Sequence, residues 1–399
     1  MIRIVETFRI HRILLLAIGL WPFNQSKFVQ LQLPLFVVVP NSFIIFQLTS
    51  FITAECTVDL IIKILSTIFF FLLGEVHQIS FWVNAYTVKC FVNRLQYFCN
   101  ELKDENEIAI IKKYGNSAEH ITIAVTLFSG CCLLILSLLP ILPWILGTFL
   151  LVNESRPLYN MQIVTEYFVD KDKTFYLILL HTYVSVCIGI IAMCAAGMML
   201  VAYLKHVCGV FSIASYNMEQ TMMLNVHEKP NLWRRSRNKM EIIKKLRRAV
   251  HVHRIAIELS ENFTTNFNAT YFFIVGIVVI CLSLNLYQIF QIVLHRSYVE
   301  ELLLHLVFAA AMLVYSLVAN YTGQEIIEHY NDMFTVAYNI RWYTAPVRIQ
   351  RLILFLLQRS CKIYGLKIGG LFIASLEGFA SLFTASISYF TVLYSTQKR

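Results

Sequence analysis

An all-α membrane protein of seven transmembrane helices is the fold class this chain predicts, on three observations. Hydrophobic residues make up 58% of its 399 positions and charged residues only 14%, where a soluble domain carries about a quarter charged and about half apolar. Apolar runs approaching the roughly 20 residues needed to cross a bilayer recur along the chain. Lys and Arg crowd into the connections on one side, and basic loops stay in the cytoplasm.

The chain opens with "MIRIVETFRIHRILLLAIGL", a basic lead followed by a short oily stretch. The stretch is shorter than a span, and "WPF" follows it without a small-residue cleavage site, so 1–32 reads as a retained amphipathic helix rather than a secretory signal. Hydropathy then places spans at 33–54, 58–81, 121–146, 175–204, 269–293, 300–321 and 368–394 within one membrane domain covering 1–399. The connection 205–268 alone holds eleven Lys and Arg. The opposite side holds six: Arg156, Lys171, Lys173, Arg296, Lys398 and Arg399. This predicts a cytoplasmic N-terminus and an extracellular C-terminus, opposite to a G-protein-coupled receptor. Segments 205–268 and 322–367 are then cytoplasmic.

The same asymmetry gives the net charge of +9 a topological cause and leaves nucleic acid without a role. In "WRRSRNKMEIIKKLRRAVHVHR" (233–254), Ile242, Leu246, Ala249, His253 and Ile257 recur at helical spacing and leave the cations on other faces. His251 and His253, two apart, point from different faces and do not make a metal pair. Ten cysteines are present, but Cys131, Cys132, Cys187, Cys194 and Cys281 lie in apolar runs and read as buried thiols. No phosphate-loop, nucleophile-elbow, zinc-protease or dinucleotide fingerprint occurs. The polar residues within spans (Asp59, Lys63, Glu75, His77, His181, His305 and Glu377) are scattered over several helices, so no enzyme and no cofactor is expected. Asp59 and Lys63, one turn apart, suggest a local ion pair. Asn153 heads an N-x-[ST] tripeptide in a predicted outer loop and is a glycosylation candidate.

On a helical wheel of the last span, Glu377, Ser381, Thr384, Ser388, Thr391 and Ser395 form one stripe, with Ser386 the polar exception on the other side. Two readings stand. Hydroxyls allow close helix packing and bond back to their own backbone. Alternatively the stripe faces water in a conduit, with Val392 beside it as an apolar constriction that can dewet. One helix cannot enclose a pore, so the second reading requires an oligomer. The preceding segment "TAPVRIQRLILFLLQRSCKIYGLK" has Pro346 to start a helix. Ile349, Leu352, Ile353, Leu356 and Leu357 give that helix an apolar face suited to subunit contact.

Three motifs in order resemble one family over the whole chain: "GLWPF" (19–23), "GQEIIEHYNDMFTVAYNIRWY" (323–343) and "SYFTVL" (388–393). They are similar to those of insect odorant receptors; gustatory receptors usually carry a different ending. The resemblance implies an odorant-gated, non-selective cation channel. It also implies a heterotetramer in the plasma membrane of a sensory dendrite, where a tuning subunit joins a shared co-receptor. This chain looks like the tuning subunit, because its fourth-to-fifth connection is short for a co-receptor. By resemblance the last helix, 368–394, lines the pore, Val392 matches the gate, and Thr396 stands where the family is often apolar. Ser388, Thr391 and Ser395 complete the expected pore wall. The pocket for a small volatile molecule is implied in the outer half, between spans two, three, four and six. There span three would present Ser137, Pro140 and Trp144, span two Ser66, Phe69 and Phe70, span four His181 and Val184, and span six His305 and Phe308. Ordinary helix packing competes for each of these. A metabotropic seven-helix receptor, a gustatory-type channel and a transporter are the alternatives; the last would want internal repeats, which are not seen.

Overall fold

The computed structural model describes residues 7–23, 27–140, 163–226, 236–295, 299–339, 342–361 and 364–397. Its helices, in chain order, are α1 (Arg9–Ala17), α2 (Lys27–Leu48), α3 (Ser50–Thr53), α4 (Val58–Val83), α5 (Ala85–Asn100), α6 (Glu105–Leu138), α7 (Lys171–Val226), α8 (Ser236–His295), α9 (Val299–Asn339), α10 (Val347–Ser360) and α11 (Leu376–Gln397). Among the described residues, seven are long and apolar enough to cross a membrane, and α2, α4, α6, α7, α8, α9 and α11 supply them as spans one to seven.

The expected connections after spans four and six are largely helix. α7 runs 56 residues, α8 60 and α9 41, so at about 1.5 Å per residue the longest reach roughly 90 Å, about three times the hydrocarbon thickness. Their extensions gather at one end of the bundle with α5, α10 and the start of α6. That end is called the basic end below. Ile242, Leu246, Ala249 and His253 are buried there, as their spacing predicts. The charges are partly consumed within the chain. Glu107, almost fully buried, takes a two-pronged contact from Arg248 (Nε 3.0 Å, Nη2 2.5 Å) and a hydrogen bond from Asn217 at 2.7 Å. Lys205 and Glu325 pair at 2.6 Å with both side chains largely withdrawn from solvent.

α1 lies inside this end rather than on a lipid surface. Leu15, Ile18 and Trp21 are buried, Phe8 stacks on His206 at 4.8 Å, and His11 Nε2 meets Thr122 Oγ1 at 2.7 Å. Burial, with His206 beside it, holds the His11 imidazole down at about 3, so it docks neutral. The motif "GLWPF" has a local cause. Gly19 takes φ +71°, and Leu20 N–H donates to Leu15 O at 2.8 Å while Gly19 N–H donates to Leu16 O at 3.2 Å. Those two bonds close a helix end that needs a left-handed residue at Gly19.

Span seven begins later than 368. Lys367–Ile368 and Phe372–Ile373 pair as an antiparallel hairpin, β1 and β2, turned by Gly369 and Gly370 with φ of +61° and +71°. Two successive positive φ angles suit a glycine pair and stop a helix. The helix proper starts at Leu376. α10 starts after Pro346, as predicted. It buries Ile349, Ile353, Leu356 and Leu357 against its own chain, while Leu352, Leu354 and Phe355 stay exposed.

Lys63 does not pair with Asp59. It crosses to span six and meets Glu301 at 2.7 Å. All ten cysteines, each among the described residues, are free. Trp144 and Asn153 lie outside the described residues.

Candidate functional site

Two small apolar cavities stack between spans two, three, four and six, in the half of the bundle away from the basic end. The upper, about 40 Å³, is lined by residues including Leu136, Pro140, Thr182, Tyr183 and Leu304. The lower, about 20 Å³, is lined by residues including Phe70, Ser129, Cys132, Met193, Ala311 and Tyr315. They share one column, because Leu136 lies one turn above Cys132 on α6 and Leu304 one turn above Val307 on α9. A hydrogen bond from Tyr315 to His77 Nε2 lies at the base of this column.

Helix direction decides which expected pocket residues reach the column. Phe70 lines the lower cavity, and its ring stacks on the buried Phe308 with centroids 4.2 Å apart. Pro140 lines the upper one. Ser137 lies beside it, where its carbonyl accepts from Tyr183 Oη at 3.0 Å and its own hydroxyl bonds back to Leu134 O. Ser66 faces span five instead, its carbonyl taking the Cys281 thiol at 3.7 Å. Phe69 packs toward Ile62, Leu284 and Tyr287, on the side of the last helix. His305 also turns to span five, with Nδ1 on Asn285 Oδ1 at 2.9 Å. Val184 is 40% exposed on the outer surface of α7.

His181 is a joint rather than a cavity wall. Burial pushes the Tyr167 phenol up to about 12, so Tyr167 donates its proton to His181 Nδ1 at 2.7 Å. His181 Nε2–H then donates to Ser42 Oγ at 3.0 Å, and Ser42 donates to Val39 O at 2.7 Å. This tautomer follows from the network. The chain of bonds ties span one and the segment before α7 to span four.

Ser129, Cys132, Met193, Cys194, Ala311 and Tyr315 are among the lining residues that sequence reasoning missed. Ser129, Cys132 and Leu136 do share one face of α6 at spacings of three and four, and that face is the signal available. It looks like any packed helix face until its neighbours are known.

The last helix divides cleanly. Taking Ser386 as 0° at 100° per residue, Phe379, Leu382, Phe390 and Leu393 fall within about 40° of it. All four are at least half-buried. Phe390 and Leu393 pack on Ile62, Leu284 and Tyr287. Ser386 is buried, and its carbonyl accepts from Ser283 Oγ at 3.0 Å. The polar exception on the wheel is thus the centre of the packing face. Glu377, Ser381, Thr384, Ser388, Thr391 and Ser395 centre half a turn away, and all six are exposed. Val392, 56% exposed, borders the stripe. Ser388 donates to Thr384 O at 3.0 Å, Thr391 to Ser388 O at 2.7 Å, and Ser395 and Thr396 to Val392 O at 2.9 and 3.1 Å. Each hydroxyl satisfies its own donor and leaves its oxygen free to accept.

Among the described residues no cluster of His, Cys, Asp or Glu could hold a metal. The arrangement among the described residues is a pair of apolar cavities and a one-sided exposed helix. The family model described as 7tm Odorant receptor matches residues 57–387. This chain belongs to the odorant receptor family. Odorant receptor 92a of Drosophila melanogaster is 30% identical over 158 residues, covering 39% of this chain and 37% of that relative. The chain's match thus spans little more than a third of that relative's length. Among solved structures, the insect olfactory receptor OR5 from Machilis hrabei aligns with a TM-score of 0.74 at 15% identity, both in complex with eugenol and without it. The complex covers 99% of this chain and 98% of that one. At that identity the likeness shows a shared fold, and this odorant receptor family member is a multi-pass membrane protein.

Proposed function

We propose that this receptor is the tuning subunit of a ligand-gated, non-selective cation channel, assembled with a co-receptor in the plasma membrane of a sensory neuron. A small, uncharged volatile molecule binds in the apolar column between spans two, three, four and six. The pore is lined by the exposed face of α11, with Ser388, Thr391 and Ser395 on its wall, Val392 at the constriction and Thr396 one turn beyond. The observation that carries this reading is the direction of the hydroxyl stripe, half a turn from the face by which α11 packs on its own subunit. Oxygens that still accept hydrogen bonds suit a wet conduit formed once several subunits meet. The similar fold solved with eugenol supports a small, uncharged ligand for this chain. Tyr315, Met193 and Cys194 then shape the lower end of the pocket, and Phe70 on Phe308 its wall. Ligand that favours the open arrangement shifts the population toward it; equal affinity for both states opens nothing. The basic extensions lie in the cytoplasm and the C-terminus outside.

The test is co-expression with a co-receptor under voltage clamp, with a panel of volatile compounds and blocked G proteins. Odorant-evoked current that survives the block is expected, whereas a metabotropic receptor loses it. Val392→Ala and Ser388→Ala are expected to change basal current or ion selectivity. Leu393→Met, on the packing face and close in volume, leaves both near those of the unaltered subunit. If both pore-face variants match the unaltered channel, the pore wall is wrongly assigned.

A further inference from the structure

A third cavity, open at a rim beside the hairpin, lies deeper, toward the basic end, between spans four, five and six, the hairpin and Leu382 of the last helix. At about 60 Å³ it is larger than either cavity of the column. Its walls are almost wholly hydrocarbon, and among the described residues Lys367, exposed at the rim, is the one charged side chain lining it. Met198 and Tyr315 line both this cavity and the lower cavity of the column. Gly197 leaves room for the Tyr315 ring, since a Cβ there would sit 3.3 Å from its edge.

Two asparagines along the cavity clasp the hairpin. Asn268 of span five accepts from Gly369 N–H at 2.6 Å, and Asn320 of span six accepts from Ser375 N–H at 3.3 Å. Anything seated between them therefore presses on the segment that sets where α11 begins. Ser316 points to the chemistry of an occupant. It is 6% exposed and lines the cavity. Its oxygen accepts from Asn320 Nδ2 at 3.4 Å, but among the described residues its own O–H has no acceptor. A buried donor without an acceptor is costly, and an apolar cavity stays dry and takes apolar guests.

We propose that this inner cavity is a second binding site, for a slender, uncharged, mostly hydrocarbon molecule whose single oxygen accepts from Ser316. Its occupant modulates the last helix through the hairpin, separately from a ligand in the outer column. A charged guest is disfavoured because no buried counter-ion lines the walls.

The test uses the full chain assembled with its co-receptor in membranes and azioctanol, the diazirine analogue of octanol, as photolabel. Label is expected on peptides carrying Met198, Val278 or Ile368. It falls about tenfold when Ala319→Phe fills the cavity, and it persists when Ala311→Phe fills the lower cavity of the column. Excess octanol displaces it, and Ser316→Ala weakens that displacement about fivefold, the worth of one hydrogen bond. Label confined to outward positions such as Phe273 and Leu371 overturns the site. So does label that octanol does not displace but added dioleoylglycerol does, which assigns the cavity to lipid. Should Ala319→Phe fail to reach the membrane, Val275→Leu on the opposite wall and the octanol competition decide. Labelling needs no current, so its failure is separable from failure of the channel reading.

Discussion

Lys63 and Glu301 join spans two and six near the end of the bundle away from the basic extensions, each side chain only about a fifth exposed. Asp59, one turn from Lys63, is exposed. Spacing alone favours the local partner, because the wheel of one helix does not show what a second helix brings to it. Truncating one member of a sheltered pair leaves the other partly buried without its partner. Glu301→Gln is therefore expected to cost about 1–3 kcal/mol in thermal unfolding of the purified receptor. Asp59→Asn should change stability by no more than a few tenths. Equal losses from the two would return the pairing to Asp59. The same limit governs the pocket residues. Phe70 and Phe308 are large and apolar, and burial of such side chains is a fair expectation from sequence. The inward turn of Tyr315 and the outward turn of Val184 depend on rotations set by packing partners on other helices.

At the scale of elements, hydropathy marks all seven spans and the helix after Pro346, since both signals are local. It misplaces the start of the last span because "KIGGLFI" is apolar enough to extend the run. Only the glycine pair announces the turn. The hairpin's seat is tight: a Cβ on Gly323 would overlap the Ala374 carbonyl oxygen, and one on Gly378 would come within 2.6 Å of Ile373 O. Both obstacles are backbone and cannot rotate away. Gly323→Ala should thus push the hairpin off span six, costing about 1–3 kcal/mol in thermal stability. It should also shift the agonist concentration for half-maximal current, because the base of α11 moves with it. Unchanged stability and unchanged gating would mean that the contact relaxes freely. The long extensions of α7 and α8 were legible only in part, because a polar helix beyond the membrane has no hydropathy signature. Its buried stripe at Ile242, Leu246, Ala249 and His253 was the readable portion.

For the whole molecule, composition and the Lys/Arg asymmetry are the most informative features, because each sums over many residues and no single register error disturbs it. They carry a directional prediction. An epitope placed at the N-terminus of the receptor in intact cells should be reached by antibody only after permeabilisation, and one at the C-terminus without it. The reverse pattern would invert every statement about which end of the apolar column faces outward. Assembly is less legible. α10 keeps Leu352, Leu354 and Phe355 exposed at the basic end. Little of α11 is covered by its own chain; in the proposed assembly both surfaces meet neighbouring subunits, which one sequence does not describe.

The self-bonded hydroxyls of α11 bear on the life of a subunit before it meets those neighbours. A helix whose serines and threonines cap their own carbonyls can rest against acyl chains without a stranded donor, and the same side chains accept water's protons once a ring closes. The helix is in effect amphibious. On the proposed assembly, a newly made subunit can wait in the endoplasmic reticulum bilayer as a tolerated monomer, and its commitment to the complex is governed by mass action with its partners rather than by rescue from misfolding.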